Sequence, residues 1–159
     1  MIFFHPFCSP PWSKSYKPNF LTMLIYDHPF YQLHLLEGPQ VLEFQWKPAH
    51  TQMDYNQFKE ACSNYAGWAF QYQTRLLLID TRNFGISLPE DYNAYRDTQH
   101  YPRFHALGVQ KIAFLVPEEW LSTDGKEGTK NGTFIERSFA DRTMAIEWLQ
   151  ADVSKTVAA

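Results

Sequence analysis

Two short apolar segments constrain the fold of this 159-residue chain more than any other feature. Residues 76–79 and 112–116 are almost unbroken runs of large apolar side chains. Runs this short and this apolar are typical of strands that are covered on both faces by helices. The stretch between them is long enough for a crossover helix, which favours parallel pairing in one sheet. The sequence therefore predicts an α/β domain in which the two segments lie side by side.

A β-hairpin is predicted ahead of these central strands. Residues 30–37 and 41–47 alternate between apolar and polar side chains, and the Gly-Pro pair between them is typical of a turn. Further along, the glycine-rich stretch 122–132 predicts an exposed loop, followed by an edge strand over 133–139 and a helix capped by Asp141. The predicted order is β-β-α-β-α-β-turn-β-α.

A capping pattern predicts where the second long helix begins. Ser87 and Glu90 form a capping box, and Pro89 lies at a first-turn position where proline is tolerated. We expect the helix to begin there and Pro102 to kink it or split it in two. Gly108 is expected to end it in the left-handed conformation.

Composition and charge exclude several classes of protein. There are 14 Lys and Arg residues against 17 Asp and Glu residues, without a basic run, which argues against a nucleic-acid partner. No apolar run reaches the roughly 18 residues of a membrane span, so a soluble protein is expected. Cys8 and Cys62 are too few for a disulfide framework, which makes the cytoplasm the expected location.

The chain is predicted to hold a single domain over residues 23–152. Residues 1–22 follow no regular period and are rich in proline, so we expect an irregular arm there. Because the regular pattern starts at Met23, a start of translation at that residue is a hypothesis that mass spectrometry of the native N-terminus would test. Residues 153–159 are expected to be a tail of small residues.

Three stretches of the sequence carry a family resemblance: LLLIDTRNFGISLPEDYNAY, YPRFHALGVQKIAFLVP and FADRTMAIEWL. Their cues are a strand ending in Asp, a Pro-Arg pair in the next helix, a glycine before an Ile-Ala strand, and a closing Trp-Leu. Together they resemble the SpoIIAA-like branch of the STAS superfamily over about residues 30–150. The resemblance implies a mixed, mostly parallel sheet of four or five strands, with an N-terminal β-hairpin and helices packed mainly on one side.

The resemblance also implies a function without catalysis. Anti-sigma-factor antagonists of this family dock on a partner protein, and phosphorylation of a serine at the start of the second helix switches the docking. Ser87 is the residue nearest to that position, although the family's Asp-Ser-Ser-Gly signature is replaced by Ile-Ser-Leu-Pro, and a plain capping role also accounts for it. The first functional expectation is a non-enzymatic regulatory module that contacts an unknown protein or a second copy of itself, without a cofactor.

Asp80, Arg82 and Arg103 are candidate binding residues alongside Ser87. Asp80 ends a central strand, at the edge where open α/β sheets bind ligands. The two guanidinium groups could together hold an anionic group, since their forks match carboxylate or phosphate oxygens. In the alternative interpretation, Asp80 and one arginine pair with each other and fix the loop after the strand.

The second functional expectation is a carrier of a lipid or of an aromatic anion. STAS-like folds resemble CRAL-TRIO lipid-transfer domains, and the chain is rich in aromatic residues. The candidate walls of an apolar pocket between the second helix and the sheet are Trp46, Tyr92, Tyr95 and Phe104. A carrier needs an enclosed cavity of about 300 Å³ or more, whereas a docking module is close-packed and exposes an apolar patch.

Metal sites and catalytic sites are not indicated by the sequence. His100 and His105 are five residues apart, so they do not share a helix face as ligands four apart would. Ser87 lacks the G-x-S-x-G pattern of a nucleophile elbow. We therefore expect neither a metal nor a catalytic residue.

Overall fold

A computed structural model describes residues 21–121 and 128–151, which form one mixed sheet with helices on both faces. The strands are Thr22–Asp27 (β1), Tyr31–Leu36 (β2), Val41–Trp46 (β3), Leu76–Asp80 (β4), Lys111–Leu115 (β5), Thr129–Asn131 (β6) and Phe134–Phe139 (β7). Their order across the sheet is β1-β2-β3-β4-β5-β7-β6. The α/β class predicted from the sequence is confirmed.

The two apolar segments are neighbours at the centre of this sheet. Strand β4 pairs in parallel with β5, with Leu77 opposite Ile112 and Ile79 opposite Phe114. Strand β3 flanks β4 and strand β7 flanks β5, both in parallel. Because each central strand has a neighbour on both sides and helices above and below, Leu77 and Ile112 are fully buried. The predicted pairing is confirmed.

The helices are α1 (Tyr55–Gln71), α2 (Tyr92–Tyr95), a π-helical turn (Arg96–His100), α3 (Tyr101–Leu107) and α4 (Arg142–Gln150). Asp54 begins α1 with a capping box: its carboxylate accepts from the Gln57 N–H at 2.8 Å, and the Gln57 side chain accepts from the Asp54 N–H at 2.9 Å. Shorter 3-10 turns cover Pro48–Gln52 and Glu118–Trp120.

Alternation along the strands divides the core into two layers. On one face, α1 and α3 cover the strand residues Phe44, Leu77 and Ile112, and Phe104 of α3 packs into the same cluster. On the other face, α4 covers a separate cluster that includes Leu78. Because successive strand residues point to opposite faces, Leu77 and Leu78 belong to different layers.

The sheet is larger and more mixed than the family resemblance implied. It has seven strands rather than four or five, and three of its six pairings are antiparallel, so the expectation of a mostly parallel sheet is wrong. The two unpredicted strands, β1 and β6, lie at opposite edges. Strand β1 has little alternation, and β6 is three polar residues within the stretch expected to be a loop. Pairing with β2 and β7 outweighs these weak local signals.

The predicted arm, residues 1–22, lies outside the described residues except for its last two, and so does the predicted tail, residues 153–159. Thr22 is the first residue of β1, so the sheet begins one residue before the predicted start of the domain. Within residues 21–121 and 128–151, none of the helices combines the length and the apolar character needed to cross a bilayer.

The second helix begins later than predicted. Ser87 and Glu90 belong to no helix, and α2 starts at Tyr92 after an N-cap residue without a side-chain hydrogen bond. Residues 84–89, called the strap below, instead alternate between half-buried and exposed side chains, as an extended segment does. The half-buried side chains of the strap, which pack on the core beneath it, are Phe84, Ile86 and Leu88. Burial of these three side chains favours the extended strap by more than a capping box would favour a helix starting at Ser87.

The helix that follows is interrupted where the sequence predicted. Pro102 lies in the first turn of α3, directly after the π-helical turn. Proline has no N–H to donate to the preceding turn, and a wider turn accommodates that loss. Gly108 ends α3 with a φ of 72°, in the left-handed region where glycine is favoured, as predicted.

Candidate functional site

An apolar cavity of about 160 Å³ lies at the carboxyl ends of β3, β4 and β5, between the sheet and the helical segment from α2 to α3. The sheet side contributes Phe44, Trp46, Ile79, Thr81 and Phe114. Helix α1, the strap and the helical segment contribute Phe58, Cys62, Tyr65, Phe84, Leu88, Tyr92, His100 and Tyr101. This is the edge at which open α/β sheets bind ligands.

Aromatic rings in mutual contact build the cavity walls. Trp46 is the centre of this arrangement: its ring lies 4.5 Å from Phe44, 5.2 Å from Phe84 and 5.9 Å from Phe58, measured between centroids. Tyr92 completes the wall with an edge-on contact to Phe58 at 5.8 Å. Aromatic pairs at these distances are attractive, so the walls hold a defined shape.

Two of the four predicted wall residues line the cavity, and two do not. Trp46 and Tyr92 are in the lining. Phe104 is fully buried in the core between α3 and the sheet. Tyr95 is also buried, and its hydroxyl donates to the Lys59 carbonyl at 3.3 Å. The cavity is bordered by the sheet, α1, the strap and the segment from α2 to α3.

His100 is the lining residue that has a buried side-chain nitrogen without a described hydrogen-bond partner. It is 6% exposed, and no described residue forms a hydrogen bond with its buried Nδ1. Its ring stacks parallel to Tyr95 at 6.2 Å and lies 4.7 Å from Phe104. Burial, together with the nearby charge of Arg103, lowers the pKa of His100 to about 4. His100 is therefore neutral at physiological pH.

Three hydroxyl groups of the lining have partners within the fold. The Tyr65 hydroxyl donates to the Leu42 carbonyl at 2.7 Å, and the Thr81 hydroxyl donates to the Leu115 carbonyl at 2.7 Å. The Tyr101 hydroxyl donates to the carboxylate of Glu136 on β7, and burial raises its pKa far above the ordinary value. These hydroxyl groups remain protonated and oriented.

Cys62 lines the cavity as an unreactive thiol. It is buried in α1, and burial raises the pKa of its thiol to about 12. Since the thiolate is the nucleophile, a thiol with this pKa is a weak nucleophile at neutral pH. Within the described part of the chain, no group of three or more His, Cys, Asp or Glu side chains could hold a metal ion.

The structure brings Asp80 and Arg82 together at the end of β4. The Arg82 Nε and Nη2 donate to the two Asp80 carboxylate oxygens at 3.0 and 2.7 Å, and the Arg82 N–H donates to Oδ1 at 3.1 Å. The hydrogen bond with Asp80 raises the pKa of Arg82. This arrangement is that of the alternative interpretation, in which Asp80 and an arginine pair with each other and fix the loop after β4.

Arg103 and Ser87 lie elsewhere. Arg103 is on α3, and its guanidinium donates to the Ser63 hydroxyl on α1. Ser87 is an exposed residue of the strap. The two arginines therefore engage different partners on different elements, and neither lines the cavity.

Most of the cavity lining was missed by sequence reasoning. Phe84 and Leu88 carried a signal, the alternation of apolar residues along the strap, but the capping box overlapped it. The sequence pattern did not place His100 in an apolar cavity. Its role depends on contacts between elements that are far apart in sequence, which periodicity does not reveal.

A buried ion pair on the opposite face of the sheet was also unpredicted. Glu43 on β3 is fully buried, and its carboxylate accepts from Arg142 Nε at 2.8 Å and Nη2 at 2.6 Å. The Gln45 side chain donates to the same carboxylate at 2.9 Å. The ion pair joins the start of α4 to β3, and the positive charge of Arg142 compensates the negative charge of Glu43.

No protein-family model, curated protein or solved structure matches this chain. The fold and the site define the class: an α/β domain with a seven-stranded mixed sheet and an aromatic cavity at the carboxyl edge of its parallel strands.

Proposed function

We propose that this protein binds a small, uncharged and largely apolar molecule in the aromatic cavity. The observation that carries the proposal is the cavity lining: of the described residues that form it, none is Lys, Arg, Asp or Glu. An anionic ligand would lose its hydration there without gaining a cationic partner. Arg82 and Arg103, the candidates for holding an anion, make contacts outside the lining.

The size of the cavity favours a single ring over a lipid. Its volume of about 160 Å³ is close to the roughly 150 Å³ of an apolar cavity that binds benzene in another protein. It falls short of the roughly 300 Å³ at which typical ligand pockets begin. The proposed ligand is therefore monocyclic, and the proposed role is binding without catalysis.

Ligand-observed NMR with toluene as the probe tests this proposal. Saturation transfer to toluene is expected for the unmodified protein and for Asn56→Leu, a control on the exposed side of α1. Cys62→Leu adds volume to the cavity wall and is expected to abolish the transfer. Circular dichroism shows whether each variant is folded. Absence of transfer from the unmodified protein to toluene and to similar monocyclic probes contradicts the proposal.

A second candidate function is contact with another protein copy, which keeps the STAS-like, regulatory interpretation as a proposal. Its supporting observation is the edge strand β1, where Met23 and Leu24 are 46% and 50% exposed and the preceding Leu21 is 65% exposed. Apolar edge strands are templates for pairing, and two copies of β1 can pair antiparallel about a twofold axis. In that interpretation the exposed Ser87 is the residue available for modification.

Light scattering during size-exclusion chromatography tests the second candidate. A dimer that Leu24→Lys converts to a monomer supports it, because a buried lysine at the paired edge is unfavourable. A monomer at all accessible concentrations contradicts it. The outcome is independent of the toluene experiment, because β1 contributes no residue to the cavity lining.

A further inference from the structure

The strap separates one side of the aromatic cavity from solvent. Phe84 and Leu88 line the cavity, whereas Gly85 and Ser87, which alternate with them, are exposed. Among the described residues, a single hydrogen bond joins residues 85–88 to the rest of the protein, from the Gly85 N–H to His50 Nε2 at 2.9 Å. A segment with so few bonds opens at a lower free-energy cost than the sheet beneath it.

The bond between Gly85 and His50 forms only while His50 is neutral. The Gly85 N–H can only donate, so Nε2 is the ring nitrogen without a proton. Nδ1 lies 2.7 Å from the Lys47 carbonyl, which can only accept, so Nδ1 already carries the one proton of the neutral ring. A second proton would go to Nε2, where it would meet the Gly85 N–H as donor against donor.

We propose that His50 is a pH-sensitive latch on the strap: a second proton on Nε2 breaks the bond to Gly85, and the strap moves away from the cavity. Phe84 links the latch to the cavity wall, because its ring stacks on His50 at 5.4 Å and lines the cavity on its other side. This property goes beyond the proposed function, and only its consequence for a ligand rests on that function.

The groups in contact with the His50 ring are uncharged. Trp46 and Phe84 contribute aromatic rings at 5.7 and 5.4 Å, and Lys47 and Gly85 contribute peptide groups. No carboxylate among the described residues bonds to His50, so none stabilises its protonated form in the closed strap. Opening of the strap to water is what favours that form.

The ionisable side chains on the elements around His50 have other partners, are exposed or keep their protons. Those elements carry Lys47, Asp54, Tyr55, Cys62, Arg82, Glu90 and Tyr92. Ion pairs join Lys47 to Asp27 and Arg82 to Asp80, and the Asp54 carboxylate caps α1. Glu90 is exposed. Burial raises the pKa of the Tyr55, Cys62 and Tyr92 side chains, which therefore stay neutral between pH 5 and 7.5.

Linkage gives the size of the effect. A histidine in water titrates near pH 6.5, so an opened strap takes up a proton below this pH and a closed one does not. The stability of the closed strap is therefore complete above about pH 6.5 and falls as the pH drops. Between pH 7.5 and pH 5 the population of the open strap is expected to rise about 30-fold.

Amide hydrogen exchange in the ligand-free protein tests the latch. The readout is the protection factor of Gly85, which compares its exchange rate with that of a free peptide at the same pH. We expect this factor to fall about 30-fold from pH 7.5 to pH 5. In His50→Gln, a side-chain oxygen can accept from Gly85 throughout this range, so the pH dependence should disappear. His28→Gln is the matched control, because His28 Nδ1 accepts from the Phe30 N–H at 3.1 Å, in the loop between β1 and β2. That variant should show the same fall at Gly85 as the unmodified protein.

Each outcome decides for or against the latch. A fall at Gly85 that His50→Gln abolishes supports it. A protection factor that does not change with pH, or that falls equally in the unmodified protein and His50→Gln, overturns it. Should His50→Gln not fold, ¹⁵N NMR of His50 in the unmodified protein decides. A proton on Nδ1 alone at pH 7.5, with the fall at Gly85, supports the latch. A proton on Nε2 while Gly85 is still protected overturns it.

The consequence for a ligand is tested with toluene. Exchange between bound and free toluene, followed by NMR line shapes, is expected to be faster at pH 5 than at pH 7.5 in the unmodified protein but not in His50→Gln. If toluene does not bind, the proposed function fails and the latch does not, because Gly85 protection is measured without a ligand. Toluene exchange at one rate at both pH values, despite a fall at Gly85, overturns the strap as the route of entry.

Discussion

His50 Nε2 accepts a hydrogen bond from the backbone N–H of Gly85 at 2.9 Å, and this contact ties the strap to the loop after β3. On the other side of the ring, Nδ1 lies 2.7 Å from the Lys47 carbonyl. Because an N–H can only donate and a carbonyl can only accept, Nδ1 carries the proton and the ring is neutral. His50 is 2% exposed, so both bonds are sheltered from water. The strap is therefore anchored at Phe84, a lining residue of the cavity whose ring contacts both Trp46 and His50.

Replacing His50 by alanine is expected to release the strap. The variant leaves the Gly85 N–H without its acceptor and removes the ring that stacks on Phe84 at 5.4 Å. We expect a loss of about 1–3 kcal/mol in the free energy of unfolding and faster hydrogen exchange at Gly85. Hydrogen exchange monitored by NMR measures the second effect residue by residue.

The control for this prediction is His28→Ala. His28 Nδ1 also accepts a backbone hydrogen bond, from the Phe30 N–H at 3.1 Å, but it lies in the loop between β1 and β2. Its removal should leave exchange at Gly85 unchanged. Equal exchange at Gly85 in His50→Ala and in the unmodified protein would show that the strap does not depend on this bond.

The centre of the sheet could be predicted from sequence because its signals agree with one another. Residues 76–79 and 112–116 are apolar enough to need cover on both faces, and the stretch between them has room for a crossover. The edge strands lack such agreement: β6 is three polar residues, held by pairing with β7 and by a contact of 3.1 Å between the Asn131 carbonyl and His105 Nε2. Local sequence does not encode a strand whose stability comes from its neighbour.

The predicted start of the second helix is wrong because the prediction relied on the capping box and left out the burial of apolar side chains in the strap, which contributes the larger free energy. A capping box contributes about 1 kcal/mol. Burying three large apolar side chains contributes more, at up to about 1.5–3 kcal/mol for each one fully buried. Phe84, Ile86 and Leu88 are half-buried in the cluster around Phe58, so the strap follows their alternation instead of the helical period.

A pair of substitutions tests this explanation of the strap. Ser87→Ala is expected to change the free energy of unfolding by less than about 0.5 kcal/mol, because Ser87 is exposed and caps no helix. Asp54→Ala, which removes the side-chain cap of α1, should cost about 1 kcal/mol. Urea denaturation measures both values. Similar losses for the two variants would mean that Ser87 acts as a cap after all.

The Glu43–Arg142 pair predicts strong non-additivity between two substitutions. Arg142→Met leaves the fully buried Glu43 carboxylate without its main partner and is expected to destabilise the fold by about 2–3 kcal/mol. This is below the usual range for breaking a buried pair, because the Arg142 side chain is 36% exposed and solvent weakens the interaction. Adding Glu43→Leu to the variant should recover stability, since no buried charge then remains.

Equilibrium unfolding of the two single variants and the double variant completes this cycle. A double variant at least as stable as Arg142→Met supports the explanation. Simple addition of the two single losses would show that Glu43 and Arg142 contribute independently, which the bidentate contact at 2.8 and 2.6 Å argues against.

His100 predicts how stability depends on pH. Its pKa is about 4 in the folded protein and near 6.5 when unfolded, so between these values the unfolded state binds more protons. Stability is therefore unaffected by His100 above about pH 6.5 and falls as the pH drops toward 4. A shift of this size corresponds to a loss on the order of 3 kcal/mol. Since the carboxyl groups also titrate in this range, urea denaturation of the unmodified protein and of His100→Phe should be compared at each pH. The stability of the unmodified protein relative to the variant is expected to fall by that amount between pH 7 and pH 4, and a constant difference would place His100 in contact with water.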